Sequence, residues 1–318
     1  MQRDTADASE ASEASEASDM PTARRAPGEA ARRRATAEWL LNLGLRARTA
    51  FLLMPVIIAI TWFGGWAAFA GALVVTLVAL WELRGLFAQR GWHPTIVLSA
   101  LVCAAFLLAA ELPTQRALIL ELSISALVVG SFTWLIIARK ATLEGSLLDW
   151  ALTVVLPFYL GWPLAYFLLL RGAVPGYHSP GFWWTITALF TVWAFDTFAY
   201  LTGFLAGRYF QRHQLAPLIS PKKSWEGVVG GVLFALLAAW LFTRPIGVPW
   251  FHALAIGFLV SIAATLGDLA ESLLKRDIGA KDSGTIMQGH GGILDRTDSL
   301  LFAILVVYFY AVFLRMVA

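Results

Sequence analysis

The sequence has little charge and almost no cysteine. Its 318 residues include one cysteine, Cys103, so the chain cannot form an internal disulfide, a CxxC redox pair or a Cys-rich zinc site. Only 14% of the residues are charged and 58% are hydrophobic, with a mean hydropathy of +0.69, whereas about 25% are charged in typical soluble domains. The formal net charge is only +3, which disfavours a nucleic-acid binder. These features predict a polytopic membrane protein.

The first 48 residues differ from the rest of the chain. They contain the repeat ASEASEASEASD and a cluster of arginines, with no apolar stretch. Such a segment cannot bury enough apolar surface to fold, so we expect residues 1–48 to form a disordered cytoplasmic tail rather than a signal peptide. Its arginines are expected to set the topology, with binding to anionic lipids as the alternative. Residues 49–318 are expected to form the transmembrane domain.

Long apolar runs follow this tail, and a spanning helix needs about 20 such residues. They predict an all-α polytopic integral membrane protein of about nine transmembrane helices. The predicted segments are Thr49–Gly64, Gly65–Leu83, Pro94–Ala110, Ala117–Ala138, Leu148–Leu170, Phe182–Phe204, Gly227–Phe242, Trp250–Leu269 and Ser299–Leu314. A tight turn at Gly64-Gly65 separates the first two segments, which could instead form one tilted or re-entrant unit.

The distribution of basic residues predicts the orientation. With the N-terminus in the cytoplasm, this layout places 20 of the 24 Lys and Arg residues on the inner side. Cytoplasmic loops of membrane proteins carry such an excess of positive charge. We therefore predict an N-in, C-out topology.

Two predicted inner loops hold most of the unusual residues. The first, Leu205–Gly227, ends in SPKKSWEG, where Lys222 and Lys223 follow Ser220 and Pro221. Two adjacent ammonium groups beside a serine and a glycine could hold a polyphosphate. A basic loop that faces the membrane surface is the alternative.

The second inner loop, Glu271–Asp298, is rich in both acids and bases. A solvated loop can have this charge density without a catalytic role. However, glycines surround His290 in the run Gly289–Gly292, and glycine lets the backbone approach a ligand closely. We therefore favour a functional role for His290.

Several acids fall within or at the ends of the apolar segments, where carboxylates usually mark a site. Asp196 lies within one segment, and Asp268 and Glu271 lie three residues apart near the inner end of another. Glu82 and Asp149 are interpreted as helix-end acids that reach the membrane surface without a functional role. Hard oxygen ligands without usable cysteine favour Mg²⁺ held with substrate phosphates. The residues alone therefore indicate metal-assisted phosphoryl or nucleotidyl transfer on a lipid or a cytoplasmic nucleotide.

The order of these residues resembles the signature of the phosphatidate cytidylyltransferase (CDP-diacylglycerol synthase) family. The signature stretches are Ser272-x-Leu274-Lys275-Arg276, Lys281-Asp282-x-Gly284 and His290-Gly291-Gly292-x-Leu294-Asp295-Arg296-x-Asp298. SPKKSWEG resembles an earlier block, and Asp196-x-x-x-Tyr200 with Gly207-Arg208 resembles the block before that. The resemblance covers residues 190–300, and the N-terminal helices are similar only in hydrophobicity.

The resemblance implies an enzyme of phospholipid biosynthesis in the inner (cytoplasmic) membrane, with its active site facing the cytoplasm. It would transfer CMP from CTP to the phosphate of phosphatidate, giving CDP-diacylglycerol and pyrophosphate. The resemblance also implies that Asp268 and Asp295 bind Mg²⁺. It further associates K⁺ with the site and suggests a homodimer among membrane lipids.

The resemblance assigns two sets of site residues. The expected catalytic residues are Asp268, Lys281, Asp282, His290, Asp295, Arg296 and Asp298. The expected substrate-binding residues are Asp196, Ser220, Lys222, Lys223, Lys275, Arg276, Gly291 and Gly292. Asp282 and Asp298 would support the metal ligands or bind metal themselves, and His290 would contact phosphate or water.

One departure from the family pattern keeps an alternative open. Met287-Gln288 replaces the usual Leu-Pro, and without proline the loop should be less pre-organised. A paralogous enzyme that acts on a variant lipid phosphate is therefore an alternative. A cation-coupled transporter, which also uses intramembrane carboxylates, is another. It is disfavoured because the acids cluster at the inner surface, and a catalytically dead scaffold is disfavoured because the charged signature residues are retained.

Overall fold

The computed structural model describes residues 54–138, 144–209, 213–284 and 291–316. The predicted cytoplasmic tail, the Met287-Gln288 pair and His290 lie outside these described residues. The division between residues 1–48 and 49–318 therefore stays a prediction.

Each of the nine predicted apolar segments is helical in the described part of the chain. Seven described spans are long and apolar enough to cross a membrane, with the continuous helical stretch Ser146–Arg171 counted as one, whereas two helices are shorter. The helices are α1 (Met54–Phe63), α2 (Gly65–Gln89), α3 (Ile96–Glu111), α4 (Arg116–Ala138), α5 (Ser146–Leu156), α6 (Trp162–Arg171), α7 (Pro180–Tyr209), α8 (Trp225–Thr243), α9 (Trp250–Ile278) and α10 (Leu294–Phe313). A π turn, Pro157–Gly161, joins α5 to α6. The protein is therefore an all-α polytopic membrane protein, while the count of nine crossings stays a prediction.

Four helices extend beyond their predicted inner ends. Helices α2, α7 and α9 continue past the last predicted residue, and α10 begins before its first one. The predictions were wrong here because an apolar run stops at the first charges, whereas backbone hydrogen bonding does not. The residues that were predicted to lie in a loop but lie on these helices include Glu271, Lys275, Arg276, Asp295, Arg296 and Asp298.

The predicted turn between α1 and α2 is confirmed. Gly64 and Gly65 have φ angles of 63° and 45°. Residues with a Cβ adopt such backbone angles only under strain. Arg171, at the end of α6, is fully buried and holds this turn. Its Nη2 donates to the carbonyl of Trp62 at 2.7 Å, and its Nε donates to that of Thr61.

The first predicted inner loop contains a β-hairpin. Strand β1 (Gln214–Ala216) pairs antiparallel with β2 (Ser220–Ser224). Ser224 then caps α8, because its Oγ accepts a hydrogen bond from the N–H of Gly227 at 3.2 Å. The hairpin thus places Lys222 and Lys223 on a strand directly before a helix.

A close approach of two helices brings acids from distant parts of the chain together. Gly267 on α9 faces the backbone of Asp298 on α10, and a Cβ at position 267 would fall on the Asp298 carbonyl oxygen. Only glycine leaves room for this contact. Asp268 therefore lies beside Asp298.

Replacing Arg171 by methionine should lower the apparent melting temperature of the detergent-solubilised protein. Buried carbonyls would lose charged donors, a loss on the order of 2–4 kcal/mol. Arg84→Met is the control, because Arg84 is exposed. Equal melting temperatures for the two variants would contradict this role of Arg171.

Candidate active site

Three carboxylates form a cluster between α9 and α10. Asp268 and Glu271 lie three residues apart on one face of α9, and Asp298 comes from the first turns of α10. One oxygen from each of the three lies within 4.8 Å of the other two. Glu271 and Asp298 are buried, while Asp268 is partly open to the surroundings.

The carboxylate oxygens of this cluster are suitable ligands for a divalent cation. Oε2 of Glu271 accepts a hydrogen bond from Lys275 at 2.6 Å. The other oxygen, Oε1, is buried and has no hydrogen-bond partner among the described residues. A buried carboxylate oxygen without a donor is costly, and three such hard ligands suit Mg²⁺.

The hairpin brings an ammonium group to the cluster. The Nζ of Lys223 lies 2.7 Å from Oδ2 of Asp268, and the lysine side chain is 22% exposed. Ser272 donates to the other oxygen of Asp268 at 3.3 Å. Lys222 is exposed and has no ion pair within the described residues.

Asp295 occupies a separate position beside the cluster. Lys275 contacts both Glu271 and Asp295. Oδ2 of Asp295 accepts hydrogen bonds from the N–H of Gly292 at 2.7 Å and from the backbone and hydroxyl of Ser283 at 3.0 and 2.9 Å. The structure thus groups Asp268 with Glu271 and Asp298 rather than with Asp295. Metal binding by Asp295 stays a prediction.

Asp196 on α7 faces the same region. Its carboxyl meets the hydroxyl of Ser299 and lies within electrostatic reach of Asp268, Asp298 and Lys223. Its side chain is exposed although it lies midway along a long helix. Asp196 therefore brings a further carboxylate from a third helix to the neighbourhood of the cluster.

Arg276 joins the hairpin to α9. It donates to the carbonyl of Ile219 at 3.3 Å and to that of Ala280 at 3.0 Å. These contacts hold the hairpin turn against the end of α9, close to the strand that carries Lys223.

The remaining predicted residues lie around this centre. Lys281, Asp282 and Arg296 are exposed, and Ser220 is half-buried. Gly291 has a φ of 78°, and its neighbour Gly292 donates to Asp295. Within the described ranges, no hydrogen bond or ion pair joins Lys281 or Asp282 to the carboxylate cluster. His290 cannot be placed because it lies outside them.

The interpretation of Glu82 and Asp149 as acids that reach the membrane surface was wrong. Asp149 is 5% exposed, and its carboxylate accepts the N–H of His93 at 2.7 Å. Glu82 is only 3% exposed and lies inside α2. It accepts the backbone N–H groups of Ile293 at 2.8 Å and Leu294 at 3.1 Å. The only signal in the sequence was an acid at the edge of an apolar run.

Comparison with known proteins identifies the family of the chain. The pattern described as the cytidylyltransferase family matches residues 44–314. A phosphatidate cytidylyltransferase from Staphylococcus haemolyticus is 32% identical over 263 residues, which are 82% of this chain and 95% of the relative.

Two further relatives carry the same name. The protein from Brucella abortus is 33% identical over 278 residues, covering 85% of this chain and 93% of the relative. The protein from Synechocystis is 34% identical over 278 residues, covering 79% and 90%. These matches include the N-terminal helices as well as the signature region, and the chain belongs to the cytidylyltransferase family.

Proposed function

We propose that this protein transfers CMP from CTP to the phosphate of phosphatidate, giving CDP-diacylglycerol and pyrophosphate. The observation that carries the proposal is the cluster of Asp268, Glu271 and Asp298, with Lys223 at its open side. The names of the relatives support the same activity and the same substrates. A cation-coupled transporter is not favoured, because family membership and this cluster both point to nucleotidyl transfer.

The reaction needs positioning and charge neutralisation more than a strong base. An oxygen of the anionic lipid phosphate attacks the α-phosphorus of CTP. The bond between the α-phosphorus and the oxygen that bridges it to the β-phosphate then breaks. Pyrophosphate leaves with the electron pair of that bond. Since the nucleophile is already deprotonated, the rate depends on alignment and on compensation of negative charge.

The described residues divide these tasks. Asp268, Glu271 and Asp298 would hold Mg²⁺, which would supply positive charge to the phosphates of CTP. Lys223 lies at the open side and binds the triphosphate. Lys275, whose side-chain contacts within the described residues are both carboxylates, orients Glu271 and Asp295.

We infer that this site faces the cytoplasm at the inner membrane. The excess of Lys and Arg on one side supports an N-in, C-out chain of nine crossings. The homodimer, the K⁺ site and the choice of phosphatidate over a variant lipid phosphate stay predictions.

The first test is the reaction itself. Purified full-length protein in detergent, given labelled CTP, phosphatidate and Mg²⁺, should form a labelled lipid and release one pyrophosphate per lipid. EDTA should stop the reaction, and UTP should not replace CTP. Absence of a CTP-dependent lipid product, with and without K⁺, would refute the proposed activity.

The carboxylate cluster generates a second prediction. Asp298→Asn and Glu271→Gln should each reduce kcat at least about 100-fold, because they remove charge that compensates the metal. They should also abolish the rise in melting temperature that Mg²⁺ produces in the wild type. Asp277→Asn is the matched control, since Asp277 is an exposed acid at the end of the same helix. Full activity in the cluster variants would exclude their metal role.

Neighbouring lysines on β2 provide a third test. Lys223 contacts Asp268, whereas Lys222 is exposed, so Lys223→Ala should reduce kcat/KM for CTP at least about tenfold more than Lys222→Ala. The measurement is initial rate against CTP concentration at saturating phosphatidate. Equal losses would show that the two lysines act only as general surface charge.

A further inference from the structure

Glu82 lies on α2, far in sequence from the signature region. We propose that Glu82 is a positioning residue for the reaction: it fixes the start of α10, and with it Asp295 and Asp298. The inference rests on the proposed function only for its kinetic part. The contacts themselves are independent of the substrate.

The start of α10 needs hydrogen-bond acceptors from elsewhere in the chain. The first N–H groups of a helix have no partner within the helix and need an acceptor. Ile293, at the N-cap position, provides no side-chain hydrogen bond. Glu82, on another helix, supplies an acceptor for two of these N–H groups. Its Oε1 accepts from Ile293 and its Oε2 accepts from Leu294. A carboxylate at this end also interacts favourably with the helix dipole.

Two glycines of the signature lie against Glu82. A Cβ on Gly284 would lie 2.9–3.1 Å from three atoms of Glu82. A Cβ on Gly292 would fall on Oε2 of Glu82 and on the hydroxyl of Ser283. Gly284 does not have a left-handed φ, so its backbone conformation is open to other residues. The space taken by Glu82 therefore accounts for the glycine at position 284.

A series of side-chain contacts connects Glu82 to the carboxylate cluster. The hydroxyl of Ser283 lies 3.3 Å from Oε2 of Glu82 and 2.9 Å from Oδ2 of Asp295. Asp295 in turn contacts Lys275, which also binds Glu271. A shift of Glu82 would thus move both the loop that holds Asp295 and the helix turn that carries Asp298.

The chemical test is an isosteric substitution. Glu82→Gln retains size but must place an NH₂ group against a backbone N–H, so two donors face each other. We expect kcat/KM to fall at least about tenfold and half-maximal activity to require more Mg²⁺. Glu82→Asp retains two acceptor oxygens and should recover part of the loss. Glu121→Gln, which changes an exposed acid on α4, should change neither quantity.

A second test does not require activity. Gly284→Ala should lower the apparent melting temperature in the wild type, but not further in the Glu82→Ala background, because the colliding carboxylate is then absent. Gly85→Ala is the matched control, since a Cβ there would meet nothing within 4 Å. If Glu82→Ala cannot be purified, the comparison of Gly284→Ala in the wild-type and Glu82→Asp backgrounds replaces it, with a smaller loss expected beside aspartate.

The outcomes separate the two proposals. A wild-type protein without CDP-diacylglycerol synthesis refutes the proposed function, while the melting-temperature cycle still tests the contact of Glu82 with Gly284. Wild-type kinetics and Mg²⁺ dependence for Glu82→Gln would overturn the positioning role. Additive effects of the Gly284 and Glu82 substitutions would also overturn it.

Discussion

Repulsion between carboxylates that lie close together among apolar helices is the constraint on which the site depends. Asp268, Glu271 and Asp298 lie within 4.8 Å of one another, and like charges at such distances destabilise the fold unless they are compensated. The chain compensates them with Lys223 and Lys275, which contact Asp268 and Glu271. The buried oxygen of Glu271, which has no donor among the described residues, remains for a cation. The folded protein is therefore prepared for a positively charged partner.

Backbone N–H groups bind two further carboxylates, and one of these lies in the N-terminal half of the chain. Glu82 and Asp295 both accept hydrogen bonds from the segment before α10. At the end of α2, Arg90 donates to the carbonyl of Ile278 at 3.2 Å and also to that of Asp277. Helix α2 thus contacts both helices that carry the carboxylate cluster.

The sequence predicted the parts of this arrangement that depend on local patterns. Apolar runs predicted the helices, and Gly64-Gly65 predicted a turn. The spacing of Asp268 and Glu271 placed both on one helix face. Helix ends were less accurate, because hydropathy marks where apolar residues stop and helices α2, α7, α9 and α10 continue with charged ones.

Contacts between distant residues could not be read from local patterns. Glu82 is 211 residues before Ile293 in the chain, so its burial depends on the packing of α2 and not on its neighbours in sequence. The approach of α9 to α10 at Gly267 likewise brings Asp298 beside Asp268. Without that packing, a charged residue at the edge of an apolar run has the pattern of an ordinary helix end.

The extension of α9 beyond its apolar segment separates the carboxylates from the end of the helix. Asp268 lies ten residues before the last residue of α9, Ile278, which corresponds to about 15 Å along the helix axis. The hairpin covers this length of α9, because Arg276 binds the carbonyl of Ile219 in the hairpin turn near the helix end and Lys223 reaches Asp268. For the proposed reaction, the water-soluble nucleotide and the phosphate of a lipid that stays in the bilayer must both reach Asp268. The two substrates differ completely in solubility, and this one helix carries the groups that would receive both.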